Sequence, residues 1–184
     1  MKTLLKFFLN CLIALPCCLF ADSVDQITDN YLQAAEQPGA VIFTPPEGWR
    51  LSDPSQLPKS VKAMVVGKGK HELPPSINLG MHSYEGSLQD YLKMVKNLNH
   101  NDRVEWKDLG TIRTQAGVAS LSQLDMKSKW GDIREMQVIL HKEGTVYILT
   151  AAAIKDEFPK FYNDFFTAMR SLRFNNDQEG HERS

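Results

Sequence analysis

Cysteine is almost absent from this sequence, and where it occurs is informative. The 184-residue chain has three cysteines, Cys11, Cys17 and Cys18, all within the first eighteen positions. If that segment is removed, no thiol remains for a disulfide, a nucleophile, a thiolate metal site or an iron–sulfur cluster. An excess of charge is missing too. The formal net charge is −1, so no basic surplus marks a nucleic-acid binder. No Asn-x-Ser/Thr sequon occurs, which points away from a glycosylated secretory protein and towards a bacterial envelope or lumenal setting. No apolar run reaches the roughly 18–20 residues that a spanning helix needs. What is there is a globular composition, 42% hydrophobic and 23% charged, sufficient for one ordinary domain with its own core.

The N-terminus has the organisation of an export signal. Lys2 and Lys6 precede an apolar stretch from Phe7 to Ala21 that only Asn10 interrupts and Pro16 breaks. Small Ala21 before Asp22 offers a cleavage point, so residues 1–21 read as a secretory signal peptide. Leu19 at the −3 position is larger than the preferred residue and leaves the exact cut open. A retained N-terminal anchor is the competing reading. Cleavage would leave 19 basic against 22 acidic side chains. The product is expected to be periplasmic or secreted, with no stable membrane span.

The remaining sequence predicts one α+β domain. Residues 22–37 predict a short helix, with Val24, Ile27, Tyr31 and Ala34 on one side, stopped by Gln37-Pro38-Gly39. Strands are expected at 40–43, 61–66 and 76–84, with a polar loop at 67–75. Ser87, followed by Asp90, opens a helix over 87–98, whose Leu88, Tyr91, Leu92, Val95 and Leu98 share one face. From Glu105 to Ala153 the period becomes two, punctuated by Gly117, Gly131 and Gly144, which predicts four strands with one covered and one wetter face. Lys142-Glu143-Gly144-Thr145 predicts a tight hairpin. Asp156 is the expected cap of a terminal helix that buries Phe158, Phe161, Phe165, Met169 and Leu172, with Tyr162 and Phe166 beside them. The tail from Arg173 to Ser184, residues 176–184 in particular, reads as frayed.

Candidate chemistry is sparse. None of the five histidines forms a His-x-x-x-His or His-Glu-x-x-His set. His82 and His141 each fall on the polar side of a strand. If those strands were neighbours, the two imidazoles could share a metal with Glu135; otherwise they are polar surface. No Gly-x-Ser-x-Gly elbow is present. Gly67-Lys68-Gly69-Lys70-His71 lacks the ending of a phosphate-binding loop and does not open a helix, so it reads as a mobile hairpin loop. Asp125, Lys127 and Lys129 read as a solvated edge. Trp106 and Trp130 lie near strand ends among charged residues, where tryptophan marks either a docking surface or a core margin. Trp49 is expected to pack on the sheet edge.

The order of these elements resembles the PsbP/DcrB-like group. The likeness rests on Phe43-Thr44-Pro45-Pro46-Glu47-Gly48-Trp49, on the helix 87–98 after the third strand, and on Tyr147-Ile148-Leu149-Thr150 leading into 158–174. It spans roughly residues 38–175. The resemblance implies an α/β/α sandwich around a mostly antiparallel sheet and a non-catalytic binding or assembly role, with no catalytic set and no cofactor to carry over. The expected function is therefore an exported, non-enzymatic domain that binds an envelope or secreted protein partner, with Trp106 and Trp130 as its partner-binding candidates. A small-ligand or metal-binding domain around His82, His141 and Glu135, and a secreted host-directed effector, are the alternatives.

Overall fold

The computed structural model describes residues 39–101 and 104–175. The expected signal peptide 1–21, the helix 22–37, His181 and the tail 176–184 lie outside the described residues.

A seven-stranded, wholly antiparallel sheet forms the centre, with strand order β2-β3-β4-β8-β7-β6-β5. Its members are β2 (Arg50–Leu51), β3 (Val61–Val66), β4 (Ser76–Ser83), β5 (Glu105–Thr114), β6 (Gly117–Ser128), β7 (Gly131–Lys142) and β8 (Thr145–Ile154). Two meanders, β2-β3-β4 and β5-β6-β7-β8, meet where β4 pairs with β8. Helix α1 (Leu88–Asn101) carries the chain from β4 to the far edge at β5. Helix α2 (Tyr162–Arg170) follows β8. A two-stranded ribbon of β1 (Val41–Ile42) and β9 (Arg173–Phe174) ties the start of the domain to its end. No helix among the described residues is long and apolar enough to cross a membrane.

Each helix covers one face of the sheet. Phe158, Phe165, Ala168, Met169 and Leu172 pack over Ala63, Val65, Ile77, Leu79, Val138, Leu149 and Ala151. On the opposite face Tyr91 and Val95 of α1 pack over Ile139, Val146 and Ile148. Burying a side chain as completely as Phe165 contributes about 1.5–3 kcal/mol. Ser87 starts α1 as the sequence predicts: its hydroxyl accepts from the Asp90 N–H at 3.1 Å and donates to the Asp90 carboxylate at 2.7 Å. Positive φ at Gly117 and Gly131 makes the two preceding hairpins. The Glu143-Gly144 turn, with φ of 50° and 70°, makes the third.

Four expectations need correction. First, the expected wetter side of β7 is not wet: Glu135 and Gln137 are buried like Val138, and β7 is an interior strand with packed clusters on both faces. Second, Asp156 does not cap the terminal helix. Pro159 imposes a 3-10 turn over Phe158–Phe161, and α2 begins only at Tyr162. Third, Tyr162 faces solvent rather than the core. Fourth, Asp125 belongs to no solvated edge. β6 is interior, and Asp125 bonds Arg134 and Lys155. The short strands β2 and β9 had no pattern long enough to be read, and Arg173 and Phe174, expected within the frayed tail, instead pair with β1.

Candidate functional site

The histidines occupy one end of the α1 face. His82 and His141 both lie opposite Val146, one on either side of β8. Two strand spacings, about 9.5 Å, therefore separate their backbones. Glu135 stands six residues from His141 along β7, about 20 Å away. The structure thus places the two imidazoles on one row but does not bring Glu135 to them. Each ring is engaged with aromatic neighbours. His82 lies 5.4 Å from the Tyr91 ring, and its Nε2 is buried without a hydrogen-bond partner. Burial holds its pKa below the ordinary value. His141 Nε2 is 3.0 Å from the Tyr84 carbonyl. Among the described residues, no cluster of three or more His, Cys, Asp or Glu side chains is suited to a metal.

A buried polar row crosses the middle of the same face. Asn78, Thr150, Gln137 and Ser122 sit side by side on β4, β8, β7 and β6. The adjacent row runs Ala152, Glu135, Leu124, Trp106. Burial pushes the Glu135 carboxyl up to about 7, opposed only by the Gln137 amide, which donates to it at 3.3 Å. Gln137 Oε1, Ser122 Oγ and Trp106 Nε1 are buried without partners. Trp106 is half-buried, with Lys96 of α1 5.8 Å above its ring. Trp130 lies in the β6–β7 turn against Ile133, Ala152 and Ile154, and Lys129 sits 4.4 Å over it. Trp130 thus packs at the margin of a cluster on the α1 face. Trp49 packs edge-to-face on Phe161 and Phe165, at the β2 edge of the other face.

The loop at 67–75 is held down. Glu157, itself buried, accepts from the Lys70 N–H at 3.1 Å, and Lys160 reaches its other oxygen at 3.2 Å. His71 Nε2 stands 3.4 Å from Asp156. The Asp156-Glu157 pair grips this loop instead of capping a helix.

An open cleft lies on the α2 face, where sequence reasoning placed nothing. α2 closes onto the β5–β6 turn at its C-terminal end, through bonds from Gln115 N–H to the Arg170 carbonyl (3.0 Å) and from Ala116 N–H to the Leu172 carbonyl (2.8 Å). At its N-terminal end α2 follows directly on the 3-10 turn Phe158–Phe161. A cleft of about 600 Å³ remains, floored by Leu121, Gln123 and Met136 and walled by Tyr162 and Phe166. Its other wall is Leu109, the extra residue of a bulge between Asp108 and Gly110. Gly110 adopts φ of 87°, and the Asp108 carboxylate accepts its N–H at 2.8 Å, which fixes the bulge. Tyr162, Phe166 and Arg170 form a ladder along α2: the two rings are 4.4 Å apart, and the Arg170 guanidinium is 5.3 Å from Phe166. Leu109 and Tyr162 are 36% and 49% exposed, two of the three large apolar side chains so displayed among the described residues. Arg134 borders the cleft, but its charge is met by Asp125 through two bonds of 2.8 and 2.7 Å. The lining therefore holds no acid–base pair and no nucleophile.

No family model and no curated protein sequence matches the chain. Among solved structures, the Pseudomonas aeruginosa protein PA94 superposes with a TM-score of 0.51 at 17% identity, over 69% of this chain and 86% of its own. At such identity the likeness is one of fold. LpqN of Mycobacterium tuberculosis, involved in cell envelope biogenesis, aligns with a TM-score of 0.49 at 18% identity, over 75% of this chain and 86% of its own. The PsbP of the cyanobacterium Synechocystis aligns with a TM-score of 0.48 at 12% identity, over 73% and 86%. The observed layers, α1 and α2 on opposite faces of an antiparallel sheet, fit the PsbP/DcrB-like fold that the sequence resembles.

Proposed function

We propose that the chain is an exported, non-enzymatic domain that binds a partner protein or assists the assembly of an envelope complex. The observation that carries this reading is the cleft beside β5, whose rim displays Leu109 and Tyr162 to solvent while its lining lacks catalytic groups. Exposed apolar and aromatic side chains around a concave surface are what a docking partner buries. Export rests on the N-terminal sequence, with Lys2 and Lys6 ahead of the apolar run. The cleft volume also lies within the range of small-ligand pockets, which favours ligand binding as the second reading.

The test is photocrosslinking in cells, from a crosslinkable residue placed at Tyr162 and, separately, at Trp130. A discrete envelope protein captured from position 162 supports partner binding through the cleft. Capture from 130 alone, lost on Trp106→Ala or Trp130→Ala, moves the interface to the α1 face. No protein adduct at either position, with a small molecule retained by the purified chain, overturns the partner reading in favour of a ligand.

A further inference from the structure

The cleft adjoins a second binding element, the outer edge of the sheet. β5 pairs only with β6 among the described residues, and seven of its ten residues are exposed: Glu105, Lys107, Asp108, Leu109, Gly110, Thr111 and Arg113. An edge strand presents unpaired N–H and C=O groups that template a further strand. The bulge at Leu109 divides this edge into Glu105–Asp108 and Gly110–Thr114, so a long flat strand cannot pair along it, whereas a short segment can. The same bulge carries Leu109 to the mouth of the cleft, opposite Tyr162.

Charge at the rim is unbalanced in one direction. Arg134 and Lys155 are neutralised by Asp125, and Glu105 adds its field to Arg134. The Asp108 carboxylate is taken up by the bulge. Lys107, next to the floor residue Gln123, and Arg170, at the end of the aromatic ladder, have no ion-pair partner among the described residues. Lys107 lies two residues before Leu109 on β5, and Arg170 eight residues after Tyr162 on α2.

We infer that the cleft and the β5 edge together receive a short extended peptide of a partner protein, one that adds to β5 as a further strand, seats an aromatic or branched apolar side chain between Leu109 and Tyr162, and carries acidic residues towards Lys107 and Arg170. Strand addition supplies main-chain bonds, and the pocket for alternate side chains supplies selectivity. This inference rests on the partner-binding reading and specifies the partner's chemistry.

The experiment is selection of a random linear peptide library, displayed on phage, against the full chain. The expected peptides combine one aromatic or branched apolar residue with flanking Asp or Glu. Their affinity falls about tenfold or more on Leu109→Asp and on Tyr162→Asp, both at exposed positions that leave the fold intact. The double variant Lys107→Glu/Arg170→Glu shifts the selected flanks from acidic to basic while keeping the apolar anchor. N-methylation of alternate backbone amides in a selected peptide abolishes binding in one phase and spares it in the other, as a strand ladder requires. Basic flanks on the wild-type chain, indifference to Leu109→Asp, or equal tolerance of both N-methylated forms overturns the inference. So does failure of any peptide to enrich. In that event adducts from position 162 in cells still show whether a folded partner docks there, which keeps the two readings separable. Self-association of the chain that disappears in Leu109→Asp identifies a second copy as the occupant and also overturns it.

Discussion

Glu135 and Gln137 stand two residues apart on one side of β7, and the Gln137 amide is the donor that meets the buried Glu135 carboxyl, 3.3 Å away. Neither side chain reaches water. A carboxyl with one such partner keeps its proton to near neutral pH, to about 7 here, because desolvation penalises the anion more than one amide can offset.

Stability should therefore fall as pH rises. Below the unfolded carboxyl pKa both states are protonated and Glu135 costs nothing. Between about 4.5 and 7 the unfolded chain releases a proton that the folded chain retains, so unfolding is favoured progressively, and above 7 the penalty is complete. Glu135→Gln is expected to stabilise the domain by about 2–3 kcal/mol at pH 8, with little change at pH 4. Denaturant titrations at the two pH values check this; equal effects at both would refute it.

Asp125 predicts the opposite slope. Two bonds from Arg134 lead the causes that hold its carboxyl at about 2, with Lys155 adding to them. Its contribution is complete above the unfolded value of about 4 and disappears as pH falls towards 2. Asp125→Asn should cost about 1–3 kcal/mol at pH 7 and almost nothing at pH 2. It also frees Arg134 at the border of the cleft, so salt-dependent binding of anions by this variant is the accompanying signature.

Legibility in the sequence followed the length of each pattern. β3 and β4, the four long strands, α1 and the helix after β8 were readable because period two or 3.6 persists for six residues or more. β2 and β9 have two residues each, so only tertiary pairing defines them. The apolar and polar alternation of β7 was visible, but the burial of its polar side was not. Whatever covers Glu135 and Gln137 comes from residues far away in the chain. The cleft was illegible for a related reason. Leu109 reaches its mouth through a bulge, and Tyr162 faces outward because Pro159 delays α2 by one 3-10 turn. Pro159 itself was the available signal: a proline inside an aromatic helical stripe resets which side chains point inward. Trp106 and Trp130 stood out by residue type, whereas their packing under Lys96 and Lys129 needed the coordinates.

The last prediction concerns Trp49, which joins the β2 edge to the aromatic cluster of α2. Its ring meets Phe161 and Phe165 edge-to-face, with centroids 6.1 and 5.9 Å away. Gly67 lies against the other side of that ring so closely that a Cβ there would come within 2.7 Å of Trp49 Cε2 and 2.9 Å of Cζ2. Gly67 has no positive φ that would itself require glycine, so the constraint is contact with the indole. Gly67→Ala should force the ring off Phe165 and destabilise the domain by about 1–3 kcal/mol. In a Trp49→Leu background, where no indole occupies that space, the same substitution should cost much less. A double-mutant cycle on denaturation midpoints measures the difference. Additive effects would mean that Gly67 serves the backbone of the 67–75 loop, and the coupling between this loop and α2 would then have to run through Glu157 instead.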